Sequence, residues 1–455
     1  MMRLNGLILA LFVCTTAIAQ ENSPYSRYGL GDLTPNQNIV TRGMGGIGAG
    51  YSDYQSINFV NPASYGNLSY IDSNSLKRNP AAQRNTVFDI AAEIDTRVLK
   101  GGTPPSKFSA TNLLVSYLQL GLPIKMKKLN RKGIFLGFSL GLKPVSRINY
   151  KIFAAERKIN IDSVLSIYEG SGGVSEANIG AGLRIKKFNI GFNTGYRFGN
   201  KDFSTSRYII NDTVLYYPSR KSSKSNFGGV FLNAGLQYEL NFKNKEDKNK
   251  GLLRLGAYGN LKRNISASQD IINETITTDA SGNVTRIDSV FEKNVKGTVV
   301  YPASFGAGFT YQDSSNHWLI GADYEKAYWS RYSYFDQKDQ VKDSWKIRAG
   351  AEYLPASLNT PLKKYFSFVR YRAGFYYGSD YINVGSNLPA YGFTIGAGFP
   401  LKLRKGYYEY QSSYLNTSIE IGSRGNKNNN LRESSFKISF GFSLSDLWFH
   451  TTKYY

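Results

Sequence analysis

Residues 42–50 read RGMGGIGAG, and Gly43, Gly45 and Gly48 fall on the G-x-G-x-x-G spacing of a loop that cradles a pyrophosphate. That chemistry needs a buried strand before the glycines and a helix after them, so that a helix N-terminus faces the phosphate. Here the polar run TPNQNIVT precedes and YSDYQSINFVNPASYGNLS follows, with no 3.6-residue periodicity. The motif is therefore set aside as a nucleotide site. Asp89, Glu93 and Asp95 imitate a carboxylate pair, but their spacing puts them on one face of one strand, where a solvated wall is the expected role. The only histidines are His317, at a predicted turn, and His450, near the C-terminus, so neither a His-based triad nor a His metal cluster is in view. No enzyme, cofactor or metal is expected.

The remaining charged constellation is more informative. Asp323, Glu325 and Arg331 are expected on one face of a strand, Lys346, Arg348 and Glu352 on that of the next, and Arg370 and Arg372 on that of a third. Opposite charges on neighbouring strands stabilise a wall. A ligand carboxylate pairing with one of the arginines is the alternative.

The elements that must hold these residues start with MMRLNGLILALFVCTTAIAQ. Arg3, the apolar run Leu7–Val13 and the small Ala17 and Ala19 form a secretory signal peptide over residues 1–19. Its Cys14 is the only cysteine, so the exported chain is expected to carry no thiol chemistry. The mean hydropathy of −0.35 and the lack of a second long apolar run exclude a helical membrane protein. The net charge of +23 is scattered along strands and turns, with no recognition helix or basic arm, so nucleic acid is not the expected partner. Anionic outer-membrane lipids and lipopolysaccharide suit that charge better.

From Asn85 onward one texture repeats. In VFDIAAEID, Phe88, Ile90, Ala92 and Ile94 alternate with Asp89, Ala91, Glu93 and Asp95; FKISFGFSL, VRYRAGFYY and WKIRAGAEY behave alike. Strands of about ten residues or more, alternating between an apolar and a wet side, are what a barrel between lipid and lumen requires. Approximate spans are 85–99, 108–124, 133–150, 174–186, 188–203, 224–243, 251–268, 295–311, 317–335, 342–354, 367–382, 391–403, 411–424 and 431–448. Short turns alternate with longer segments, three of which (152–173, 204–223 and 269–294) stand out as outer loops. The fold class expected is all-β: a transmembrane antiparallel barrel of about fourteen strands in a bacterial outer membrane.

The ordered set SPYSRYGLGDL (Ser23 to Leu33), RGMGGIGAG, INFVNPASYGNL with Asn61-Pro62-Ala63, WKIRAGAEYLP, VRYRAGFYY and SLSDLWF resembles the FadL-type outer-membrane transporters, in their Bacteroidota branch. The resemblance implies a fourteen-stranded barrel over 85–455, with residues 20–84 folded into the lumen as a plug. It also implies passage of hydrophobic, fatty-acid-like molecules. A barrel this wide is not filled by its own side chains, and glycine permits close, irregular backbone packing. Arg42, Gly43, Gly45, Gly46, Gly48, Asn61, Pro62 and Ala63 are accordingly read as plug backbone; a loose periplasmic tail is the alternative.

Two features remain. In GIFLGFSLGLKPVSRINY, Pro144 lacks the N–H that a continuous ladder needs. The family opens sideways at a kink in its third strand, so the resemblance places a lateral opening at Lys143, Pro144, Val145 and Ser146. The alternative is that Pro144 merely ends the strand at the rim. IDSVL, NDTVL and IDSVF recur in the three long loops, and their Asp-Ser/Thr-Val triplets resemble O-glycan acceptors of exported Bacteroidota proteins, at Ser163, Thr213 and Ser289; the alternative is that each segment forms a β-hairpin extension above the membrane. Three functions stay open: a transporter of a hydrophobic small molecule, an accessory barrel of an outer-membrane secretion or assembly machine that binds other outer-membrane proteins, and a receptor or adhesin.

Overall fold

The computed structural model describes residues 23–69, 86–102, 106–124, 126–159, 162–210, 214, 216–243, 249–278, 284–356, 364–385, 387–401, 413–426 and 428–446. Residues 1–19, expected to be a signal peptide, residues 70–84, Thr213 and His450 lie outside these.

Fourteen antiparallel strands form a closed barrel. They are β1 (Thr86–Gly101), β2 (Ser106–Ile124), β3 (Ile134–Lys158), β4 (Asp162–Ile185), β5 (Phe188–Ile210) and β6 (Ser219–Lys243), then β7 (Asn249–Asn260 continued by Arg263–Thr278) and β8 (Val284–Tyr301 continued by Ser304–Asp313). The rest are β9 (Trp318–Ala327), β10 (Ser344–Tyr353), β11 (Arg370–Ser379), β12 (Pro389–Leu401), β13 (Ser413–Arg424) and β14 (Leu431–Asp446). β14 closes on β1 from Leu431↔Gly101 to Asp446↔Thr86. Pro302, which has no N–H to donate, interrupts β8.

The period of two decides which side each residue takes. Along β12, Tyr391, Phe393 and Ile395 are exposed, while Thr394 between them is buried toward the lumen. Phe188, Ile190 and Phe192 of β5 and Phe440 of β14 are likewise exposed on the outer face, giving the apolar exterior that a bilayer requires.

The wall is uneven. β9 and β10 are each 10 residues long, whereas β3 and β6 each have 25. The segments expected as three outer loops are instead continuations of β3 to β8, paired almost to their tips, as with Lys158↔Asp162. Val, Ile, Thr and Ser at alternate positions suit a ladder whether or not lipid flanks it. The ninth strand is also shorter than expected: it ends at Ala327 and a turn of 3-10 helix, Trp329–Arg331, follows.

Candidate functional site

Residues 23–69 lie inside the barrel and are buried almost throughout. Asn38 caps the short helix α1 (Ile39–Arg42), accepting the Thr41 N–H at 2.9 Å. Arg42, at the end of α1, meets Glu93 of β1 at 2.5 Å. The glycine run then crosses to the far wall. Gly45 and Gly46 adopt φ of +69° and +87°, and a Cβ on Gly45 would stand 2.5 Å from the Phe375 carbonyl oxygen, so only glycine fits this approach.

Gly48 and Ala49 donate their N–H groups to one carboxylate oxygen of Asp323, at 2.6 and 2.8 Å. The glycine-rich loop thus holds a carboxylate of the barrel wall through its backbone, a contact the sequence reading did not anticipate. Asn61 donates to the Ala49 carbonyl at 2.7 Å, and Pro62 begins a 3-10 segment, Pro62–Ser69, that carries Ala63 against the wall. Gly137 and Gly141 of β3 leave no void: Tyr65 fills the space at the first and Gln119 at the second.

The charged constellation assembles, with one exception. Arg348 reaches Glu325 at 2.8 Å, Arg372 reaches Glu352 at 2.9 Å, and Arg370 grips Asp53 of the N-terminal segment at 2.6 Å. Arg331 is the exception and corrects the sequence reading. β9 has already ended, so Arg331 sits exposed on the 3-10 turn, its guanidinium 5.5 Å from the Tyr328 ring centroid. Further ion pairs were not singled out from sequence, because their partners are distant in the chain. Arg184 and Arg254 share Glu239, Arg197 meets Glu176 at 2.7 Å, and Lys437 meets Glu420 at 3.1 Å.

Pro144 lies within β3, not at its end. The β2–β3 ladder runs only from Ile124↔Leu136 to Leu118↔Leu142 and stops just before Lys143. On its other side β3 continues along β4, with a register shift between Pro144 and Ser146. The two upper edges therefore part. β3's edge is taken from inside by the N-terminal segment: Asp32 and Leu33 pair with Arg147 and Ser146, and the Thr34 N–H donates to the Val145 carbonyl at 3.0 Å. Asp32 is anchored by Arg97 at 2.5 Å and Arg424 at 2.9 Å. Burial alone would raise its carboxyl, but the two guanidinium groups outweigh that and hold it well below the usual carboxylate range. Across the parting, the Arg147 guanidinium donates to the Val115 carbonyl at 3.1 Å.

A cavity of about 250 Å³ opens beside this break. Leu33, Pro144 and Val145 line one end, Lys346 and Tyr376 line the wall on the far side of the ring, and Lys437 of β14 also lines the cavity. Among the described residues no cluster of His, Cys, Asp or Glu could hold a metal ion, and no helix is long and apolar enough to cross a membrane. Ser163 lies near the tip of β4 and Ser289 on the upper part of β8.

A closed fourteen-stranded barrel with an apolar exterior is an outer-membrane barrel whose fold resembles that of the FadL-type channels. Solved structures show the same fold. The CymD monoaromatic hydrocarbon channel has a TM-score of 0.52 at 15% identity, over 93% of this chain and 100% of that one. The P. putida toluene transporter TodX gives 0.54 at 16%, over 92% and 100%. A Pseudomonas aeruginosa FadL homologue gives 0.52 at 10%, over 92% and 99%. The chain belongs to the BamG family, whose model matches residues 1–455. Among curated proteins no sequence relative matches it.

Proposed function

We propose that this barrel passes a hydrophobic compound across the outer membrane, with residues 23–69 as a luminal plug and the break between β2 and β3 as a side exit into the bilayer. The observation that carries this reading is the ladder's end at Leu118↔Leu142, with a luminal cavity reaching Pro144 and Val145. A hydrophobic molecule entering from above need not cross the polar floor of the lumen if it leaves sideways. The structural neighbours, a toluene transporter and a hydrocarbon channel, support the same class of cargo. Cells producing the protein should accumulate a radiolabelled apolar probe faster than cells without it. Equal accumulation, with the barrel assembled, overturns the reading.

A second reading is an accessory barrel in an outer-membrane secretion or assembly machine. It is supported by the tall extension of β3 to β8, where Phe153, Ile210 and Val290 are 61%, 56% and 63% exposed, as a protein-docking surface would be. Stoichiometric co-purification of another outer-membrane protein, without any effect on uptake, would favour it. Glycan attachment at Ser163 and Ser289 is a further part of this proposal, supported by the exposure of Ser163, and intact-mass measurement on native protein decides it.

A further inference from the structure

The tall extension of β3 to β8 carries a further cavity, of about 530 Å³. The period of two shows which face it occupies. Arg197 of β5 lines the luminal cavity, and the ladder from β5 to β6 runs without a shift up to Arg207↔Ser219. Thr205 and Arg207 are therefore on the same, inner side as Arg197. The registers then set out two adjacent rows of side chains on that side. Arg207↔Ser219, Ser219↔Thr275 and Thr275↔Asp288 form the upper row. Tyr168↔Thr205, Thr205↔Lys221, Lys221↔Asn273 and Asn273↔Val290 form the lower one. Every residue of both rows lines the cavity. Between the rows in sequence, Arg220 meets Glu274 at 2.6 Å, and Arg286 takes the same carboxylate at 2.7 Å. Arg207 and Lys221 differ from these. Among the described residues neither of their side chains makes a hydrogen bond or an ion pair, and both are exposed. Asp288, the one acid in the two rows, stands three strand spacings from Arg207, ~14 Å, which is too far to pair with it. A further cation arrives from the N-terminal segment, where the Arg27 guanidinium lies 5.3 Å from the Tyr168 ring centroid.

We infer that these two rows are a binding site for an acidic oligosaccharide. Thr205, Ser219 and Thr275 each offer a hydroxyl that donates and accepts, and the Asn273 amide does both. That mixture matches the hydroxyls around a sugar ring, while the Tyr168 ring adds a flat apolar surface at one end. Arg207 and Lys221 sit diagonally on neighbouring strands and can receive a carboxylate through charge-assisted hydrogen bonds. A hydrocarbon would desolvate both cations and return no hydrogen bond. A polypeptide that adds a strand needs a free sheet edge. β5, β6 and β7, which hold Arg207, Lys221 and Asn273, are each paired on both sides at this height. The length of the rows suits a short chain of sugars rather than a single one, and the cavity is of ordinary size for a ligand site. The site shares no lining residue with the luminal cavity and does not depend on what the barrel passes.

The full chain, purified in a polyoxyethylene detergent that carries no sugar, is titrated by calorimetry with tetragalacturonate, a hyaluronan tetrasaccharide, maltotetraose and tetraglutamate. Saturable binding of at least one acidic tetrasaccharide is expected, with maltotetraose and tetraglutamate each about tenfold weaker or more. Arg207→Gln combined with Lys221→Gln should weaken that binding about tenfold or more, whereas Arg207→Lys combined with Lys221→Arg should retain most of it. Retention of heat-modifiable migration shows that each variant is folded, and Lys221→Gln alone serves if the double variant does not assemble. Absence of saturable binding by both acidic tetrasaccharides, or unchanged affinity in a folded neutral variant, overturns the proposal. Tetraglutamate binding as tightly as the acidic sugars reduces the rows to a simple anion site, and maltotetraose binding as tightly leaves the two cations without a role; either result overturns it too.

Discussion

Asp323 illustrates how a single side chain sets the position of the N-terminal segment. Its carboxylate is buried, and one oxygen takes two backbone N–H groups, from Gly48 and Ala49. Asp323→Ala leaves both donors without a partner, at a cost of about 1–3 kcal/mol for each unsatisfied group. The expected outcome is an assembled barrel whose residues 42–50 become accessible to limited proteolysis, while the SDS-resistant barrel persists. Unchanged protection would show that the loop is held by its surroundings alone. From the sequence, the glycine run reads as plug backbone and not as an anion loop, and Asp323 as a luminal charge. That one serves the other is not legible there, because they lie 274 and 275 positions apart and no local pattern joins them. Arg331 was misplaced for a related reason: alternation persists through YWSRYSY, but Trp329 and Tyr332 pack inward from a 3-10 turn and end the strand.

At the scale of the element, alternation is a strong guide where lipid flanks one side. On β14, Phe440 and Phe442 oppose Thr417 and Leu415 of β13 and face outward. Replacing both with Asp should abolish outer-membrane assembly, since a charge near mid-depth costs on the order of 2–4 kcal/mol for basic residues and somewhat less for acids. Normal surface levels of the double variant would contradict the face assignment. Alternation is a poor guide to where a strand leaves the membrane, because a hairpin in water keeps the same period. That is why β3 to β8 were expected to be shorter with loops between them. The short strand Asp32–Leu33 was illegible altogether: its ladder to β3 exists only because β2 has left that edge. Asp32→Asn removes the charge that meets Arg97 and Arg424 and should loosen this segment. A spin label at residue 33 should report increased mobility in the variant; an unchanged spectrum would show that backbone pairing alone holds it.

For the whole molecule, β14 closes on β1, and among the described residues the β2–β3 ladder stops at Leu118↔Leu142. Such a barrel should resist SDS and migrate anomalously until boiled, because closure pairs each of its strands with two neighbours. A far-UV spectrum dominated by helix would contradict the fold. The strand number was readable from period and turn spacing, whereas the cavity and its charge balance were not, because they are assembled from many separate elements. The central claim is that cargo leaves through the parting at Pro144. Uptake of a radiolabelled apolar compound by wild-type barrel and by Pro144→Val, at equal surface levels, tests it most directly. Valine supplies the missing N–H and permits the ladder to extend, so uptake should slow in the variant while heat-modifiable migration stays the same. Equal uptake by the two correctly assembled proteins would contradict the side exit.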